Sequence, residues 1–240
     1  MDVGTDTVLD LGGAGGDEDD VVVIEAGATL AATGIAGFTA TNVTTNKSTG
    51  AGNATLTAKA DAAVTINVSG AKSDSKGFTL EGGSGTGNDI LTGGAGADII
   101  TGGAQVDTIT GGGEVDTIAG GAGNDTIDGT ALATTTLEYA IDGGTGNDTI
   151  TIGDTPDNAS TTNVGDVYAG GDGTADVLVA DVDLVDTAAV TTALTGVSGF
   201  ETLSLNGFAA GADTVTVANI QADLAAVAVS TATVGGRGEA

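Results

Sequence analysis

Between Ser84 and Asp128 the large apolar side chains keep a fixed interval. Leu91, Ile100, Ile109, Ile118 and Ile127 recur every nine residues, and two positions ahead of each stands Asp89, Asp98, Asp107, Asp116 or Asp125. The units read SGTGNDILT (84–92), GGAGADIIT (93–101), GGAQVDTIT (102–110), GGGEVDTIA (111–119) and GGAGNDTID (120–128). A sixth copy, GGTGNDTIT, occupies 143–151 after a 14-residue interruption, and a degenerate seventh, GGDGTADVLV, begins at Gly170. A period this short dictates architecture, because one unit cannot bury its own apolar face and must stack on its neighbours. Each unit predicts a six-residue turn and a three-residue strand, with position eight pointing inward and two units closing one coil.

On either side the pattern is still strand and turn. Apolar and polar residues alternate over 54–60, 63–68 and 214–217, which predicts strands. Asp183 to Leu194 and Ile220 to Val229 are each compatible with a short helix, although their alanines and threonines suit a solenoid corner equally well. The stretch Ile35-Ala-Gly-Phe-Thr-Ala40 parallels Val197-Ser-Gly-Phe-Glu-Thr-Leu-Ser-Leu205, so the same coil element is expected before and after the repeats. One continuous solenoid follows, with a β-rich segment over 1–80, the nonapeptide roll over 81–130 and a continuation with degenerate repeats over 131–240.

Composition narrows the chemistry. Of 240 residues 43 are glycine and one is proline, with 40% apolar residues, which fits neither collagen nor a disordered chain. Cysteine and histidine are absent, which removes disulfides, thiolate and imidazole metal sites, and the imidazole base of most hydrolases. The 33 acids against 5 bases leave a formal net charge of −28. Such a surface repels phosphates and anionic lipid heads, so neither nucleic acid nor membrane insertion is expected, and no apolar run is long enough to span a bilayer. Self-repulsion on this scale opposes compaction unless counter-ions bind the folded form. The chain reads as a piece of a longer protein whose export signal lies elsewhere.

The repeat supplies what a cation needs. Glycines leave backbone carbonyls free to face a ligand, and the aspartate at position six adds an anionic oxygen. Turns alternate between two edges of the coil, so units n and n+2 stack on one edge with their aspartates about 4.8 Å apart. An oxygen-only, flexible donor set suits Ca²⁺ better than Mg²⁺, which prefers rigid octahedra and retained water.

These units resemble the repeats-in-toxin (RTX) family, whose G-G-x-G-x-D-x-U-x nonapeptide folds as a calcium-bound, right-handed parallel β-roll. The resemblance implies an all-β roll or solenoid. It also implies sites made by carbonyls of positions two and four plus the aspartate of one unit, with carbonyls of positions one and three plus the aspartate of the next-but-one. Carried over, a first site joins Gly85, Gly87 and Asp89 to Gly102, Ala104 and Asp107. A second joins Gly94, Gly96 and Asp98 to Gly111, Gly113 and Asp116. A third joins Gly103, Gln105 and Asp107 to Gly120, Ala122 and Asp125, and is expected to be weaker because Gln105 replaces a glycine. Glu114 makes the same departure in the fourth unit. Asp148 has the motif's flanks but no in-register partner in the sequence. Asp172 and Asp176 are left open by an inserted residue, and the acidic cluster Asp17-Glu18-Asp19-Asp20 reads as a solvated turn.

Three functional classes follow. The first is a structural, calcium-dependent, self-assembling protein similar to bacterial surface-layer proteins. It would be secreted by a type I system, with a C-terminal signal not evident here, and cell-surface polysaccharide would be its anchor through parts outside this chain. The second is the calcium-binding tail of an exported hydrolase, whose catalysis would lie elsewhere because this chain has no histidine. The third is an adhesin segment. Ice binding through stacked Thr and Asn at positions three and five is disfavoured, because the pairs Thr86/Asn88, Ala104/Val106 and Ala122/Asn124 form no ladder.

Overall fold

The computed structural model describes residues 5–8, 22–26, 28–48, 54–72, 75–129, 140–154, 167–182, 191–193, 197–206, 214–216 and 226–229. Every regular element among them is a strand, and every strand pair is parallel. Two nine-stranded sheets carry the architecture. The first runs from Thr5–Val8 through Thr29–Ile35, Ala54–Ala58, Thr79–Glu81, Ile99–Ala104, Thr117–Ala122, Ala140–Thr145 and Val167–Ala169 to Val197–Ser198. The second runs from Phe38–Thr39 through Thr65–Asn67, Ile90–Thr92, Thr108–Thr110, Thr126–Gly129, Thr149–Asp154, Val177–Val182 and Thr202–Asn206 to Ala226–Val229. From Thr29 to Asn206 the described strands of the two sheets alternate along the chain, which makes it a parallel β-roll. Two small parallel pairs join Val23–Ile24 to Thr45–Asn46 and Thr191–Ala193 to Thr214–Thr216; Thr45–Asn46 and Thr191–Ala193 lie in connections from second sheet to first.

The inward residue of each short strand sets the register. In the first sheet Leu56, Leu80, Ile100, Ile118, Ile141, Tyr168 and Val197 are opposed in turn, and in the second Phe38, Ile66, Leu91, Ile109, Ile127, Ile150, Leu178 and Leu203. All are buried in one apolar core between the sheets. Threonine on either side faces outward, as in Thr108-Ile109-Thr110, where only the isoleucine is buried. Full burial of one such side chain stabilises by about 1.5–3 kcal/mol, so a core one residue deep per strand depends on the number of coils stacked.

Coil length varies while register does not. Ile109 opposes Leu91 and Ile127, eighteen positions away on each side, whereas Ile150 opposes Leu178, twenty-eight away. Corners absorb the difference, because a corner needs no inward side chain.

Two expectations change. Within Asp183–Leu194 and Ile220–Val229 the described residues Thr191–Ala193 and Ala226–Val229 are strands, not helices, since each pairs in parallel with a neighbouring coil. The first repeat turn is also longer than its alignment suggested. Leu80 opposite Ile100 places Gly82-Gly83, rather than Ser84-Gly85, over Gly102-Gly103, with the Ala104 N–H donating to the Gly83 carbonyl at 3.3 Å. Gly85 and Gly87 instead lie against Asp61 and Ala62 of the preceding coil. The acidic cluster at 17–20 lies outside the described residues.

Candidate metal centre

Position six of each repeat falls where the chain leaves one sheet for the other. On the edge leading from the first sheet to the second, Asp89, Asp107, Asp125, Asp148 and Asp176 stand one above another, each at most 1% exposed. The backbone N–H of Val64 donates to Asp89 Oδ1 at 2.8 Å, that of Asp89 to Asp107 Oδ1 at 2.7 Å, and that of Asp107 to Asp125 Oδ1 at 2.8 Å. The Asp125 N–H continues to Asp148 Oδ1 at 2.8 Å, and the Asp148 N–H to Asp176 Oδ1 at 2.7 Å. On the opposite edge Phe78 and Asp98 donate to Oδ1 of Asp98 and Asp116 at 2.6 and 2.8 Å. Aspartate is demanded here because its short side chain spans one coil, capping an amide that the corner takes out of the sheet ladder.

The second carboxylate oxygen has a different fate. Oδ2 of Asp89 and Asp98 accepts from the Gly83 and Gly94 N–H groups, each at 2.7 Å. Oδ2 of Asp107, Asp116, Asp125, Asp148 and Asp176 is buried with no hydrogen-bond partner. Each of the first four rests against the first glycine of its own turn. A Cβ placed on Gly102, Gly111, Gly120 or Gly143 would lie 2.7, 2.5, 2.6 or 2.6 Å from that oxygen, so the glycine keeps the oxygen's surroundings open. An anionic oxygen buried without a donor is costly.

Burial is accordingly the main force raising these carboxyls. Asp98, Asp107 and Asp148 are pushed up to about 6 and Asp116 to about 7, with Asp125 and Asp176 raised as well. The neighbouring aspartates add to the rise at Asp107, Asp116 and Asp148, while the amide bonds oppose it. A hard cation supplies what the unpartnered oxygens lack. Among the described residues no three acidic side chains converge on one point, so the remaining donors would be backbone carbonyls of the glycine turns. That oxygen-only set fits Ca²⁺, which when bound would compensate the stacked carboxylates.

A pH dependence follows with a definite sign. Between the unfolded value of 3.8 and the folded values of about 6 to 7, the folded chain holds more protons than the unfolded one. Stability without calcium is therefore greatest in acid and is lost as pH rises through 6 to 7. Calorimetry in metal-free buffer is expected to give a higher Tm at pH 5 than at pH 7.5, and calcium should raise Tm more at pH 7.5. An unchanged or higher metal-free Tm at pH 7.5 contradicts the burial of these charges.

The turns paired in the second and third predicted sites do stack. Gly113 N–H donates to the Gly94 carbonyl at 2.8 Å, and Gly103 and Ala104 oppose Gly121 and Ala122. Gly96 instead lies against Gly77 of the coil below. The departures at position four keep the positive φ of the glycine they replace. Gln105 and Glu114 take φ of 77° and 63°, the left-handed region where Gly123 and Gly146 sit in their own turns. Holding a side chain there costs about 1–2 kcal/mol.

Sequence reading left Asp148 without a partner and Asp176 undecided. The structure sets Asp148 between Asp125 and Asp176, and extends the column to Glu201, whose Oε2 accepts the Asp176 N–H at 2.7 Å. The missed signal was an acid two positions before an inward aliphatic, as in Asp176-Val177-Leu178 and Glu201-Thr202-Leu203, whatever the glycine spacing. Asp172 is exposed, and its residue bridges Thr145. A short polar ladder also forms at position five. The N–H groups of Asn147 and Thr174 donate to Oδ1 of Asn124 and Asn147 at 2.9 and 3.1 Å, because the strands of units five and six pair in adjacent coils.

Residues 83–117, 110–131 and 140–153 match the RTX calcium-binding nonapeptide repeat, in four copies. No curated protein and no solved structure matches the chain. The repeat region is thus RTX, a calcium-binding structural module rather than a catalytic one, of a kind typical of secreted proteins that bind calcium outside the cell. The matched residues hold Asp89, Asp98, Asp107, Asp116, Asp125 and Asp148, the buried carboxylates of the two edges up to the sixth unit.

Proposed function

We propose that this chain is a structural, self-assembling component of an extracellular surface, similar to surface-layer proteins, whose RTX edges fold the roll when they take up calcium. The observation that carries the calcium part is the set of buried, unpartnered Oδ2 atoms on stacked aspartates. On this reading the ligands are those carboxylates together with carbonyls of the stacked turns. Gly82-Gly83 takes the place first given to the start of unit one. At submicromolar calcium the sites empty and the acidic chain expands, which suits export. Extracellular calcium near millimolar exceeds the roughly 10⁻⁴ to 10⁻³ M constants of such modules.

Self-assembly is supported by the outer faces of the sheets. Ile99 and Val167 of the first sheet are 42% and 49% exposed, and Ile90 of the second is 46% exposed. Aliphatic side chains in outward positions on both sheets are surface that another copy would cover. Calcium addition followed by light scattering and electron microscopy tests this, with ordered sheets or filaments expected. A chain that gains β signal yet stays monomeric in millimolar calcium overturns the self-assembly reading, and favours a module of a larger adhesin or exported hydrolase.

A further inference from the structure

We propose that the calcium-binding edge runs two coils past the matched repeats and ends in a cation site between Asp176 and Glu201. This rests on the calcium reading of the repeats, but concerns residues beyond 153, where the match to the RTX repeat stops. Val177 opposes both Thr149 and Thr202, so Asp148, Asp176 and Glu201 occupy one register position in three successive coils. Asp176 is completely buried. Its Oδ1 accepts the Asp148 N–H, and its Oδ2 has no partner, as in Asp107, Asp125 and Asp148 on the same edge.

The backbone repeats as well. Gly171 has φ 102°, as Gly144 does, and follows Gly170 as Gly144 follows Gly143. A Cβ on Gly143 would collide with the Gly170 carbonyl, and one on Gly170 with the Gly199 carbonyl. The column of stacked turn carbonyls therefore continues into the coil of Glu201. There the turn has shrunk to Gly199-Phe200-Glu201, three residues where Gly143 to Asp148 has six. The extra methylene of glutamate lets a side chain on this shorter turn reach the Asp176 amide. The unpartnered Asp176 oxygen, the Glu201 carboxylate and the turn carbonyls form an oxygen-only set for a hard divalent cation.

The test counts calcium ions per folded chain, by native mass spectrometry and isothermal titration with CaCl₂, with circular dichroism as a fold control. Glu201→Gln keeps the length and an acceptor for the Asp176 N–H while removing the charge, and is expected to bind one ion fewer than wild type. Asp176→Asn, which borders two inter-coil positions, should lose two. Asp107→Asn in the matched repeats serves as reference and should also lose two. If Asp107→Asn loses ions while Glu201→Gln and Asp176→Asn keep the wild-type count and affinity, the terminal site is wrong and the repeat sites stand. If all three keep the wild-type count, the calcium reading of the edge itself fails. Should Glu201→Gln not fold, Asp176→Asn decides alone: a loss matching that of Asp107→Asn supports the extension, and an undiminished count overturns it.

Discussion

Removal of calcium at pH 7.5 is expected to cost the chain most of its β signal and to return it to an expanded state. Two opposing quantities set the size of the effect. Against the fold stand the net charge of −28 and buried carboxyls that burial, chiefly, raises to about 6 to 7. For it stands linkage. A site with a constant of about 10⁻⁴ M contributes about 1.4 kcal/mol at 1 mM calcium. Three such sites contribute about 4 kcal/mol, comparable with the whole of a small domain's roughly 5 kcal/mol of stability. Circular dichroism and small-angle scattering in chelator and in 1 mM calcium read the change directly. A compact, β-rich particle of the same dimensions in both would contradict it.

Asp107→Asn should change sign with calcium. Asparagine keeps an oxygen that can accept the Asp89 N–H, so the amide stays paired. What disappears is a buried negative charge between Asp89 and Asp125, both of which raise the Asp107 carboxyl. In chelator at pH 7.5 the variant is therefore expected to be at least as stable as wild type. In 1 mM calcium it borders two damaged sites and should be less stable by about 3 kcal/mol, if both sites had constants near 10⁻⁴ M. Asp107→Ala also leaves the Asp89 amide unpaired, costing about 1–3 kcal/mol in either condition. Urea unfolding of the three proteins in 1 mM calcium, and circular dichroism of each in chelator, where the residual β signal reports the folded fraction, make the comparison. Destabilisation of Asp107→Asn by the same amount with and without calcium would mean that the carboxylate serves only as a cap.

The roll was legible because its two determinants are side chains at fixed spacing: an inward aliphatic that sets register and an acid two positions earlier that closes the corner. Ile109 and Asp107 show both, two positions apart in one unit. Turn length was less legible. Gly82-Gly83 is the one Gly-Gly pair between Gly82 and Asp89, but it stands two positions early for the nine-residue step, which SGTGND fits with Ser84 in place of the first glycine. The choice is made by Leu80 packing opposite Ile100, a contact between residues twenty apart. The same tolerance hid Asp176 and Glu201. Their glycine spacing departs from nine, yet Leu178 and Leu203 are held in the column of Ile150, and the acids follow their strands. Local spacing reports the turns, whereas the stacking of coils decides which acids meet.

The most direct measurement is anomalous scattering from a crystal of the chain grown in calcium. The account predicts calcium peaks spaced about one strand separation, roughly 4.8 Å, along the edge from Asp89 to Asp148, with another between Asp98 and Asp116. Each peak should lie beside the Oδ2 atoms that have no protein partner. A roll with the same register, fully grown in millimolar calcium, whose carboxylates contact only backbone amides and water, would contradict the central claim.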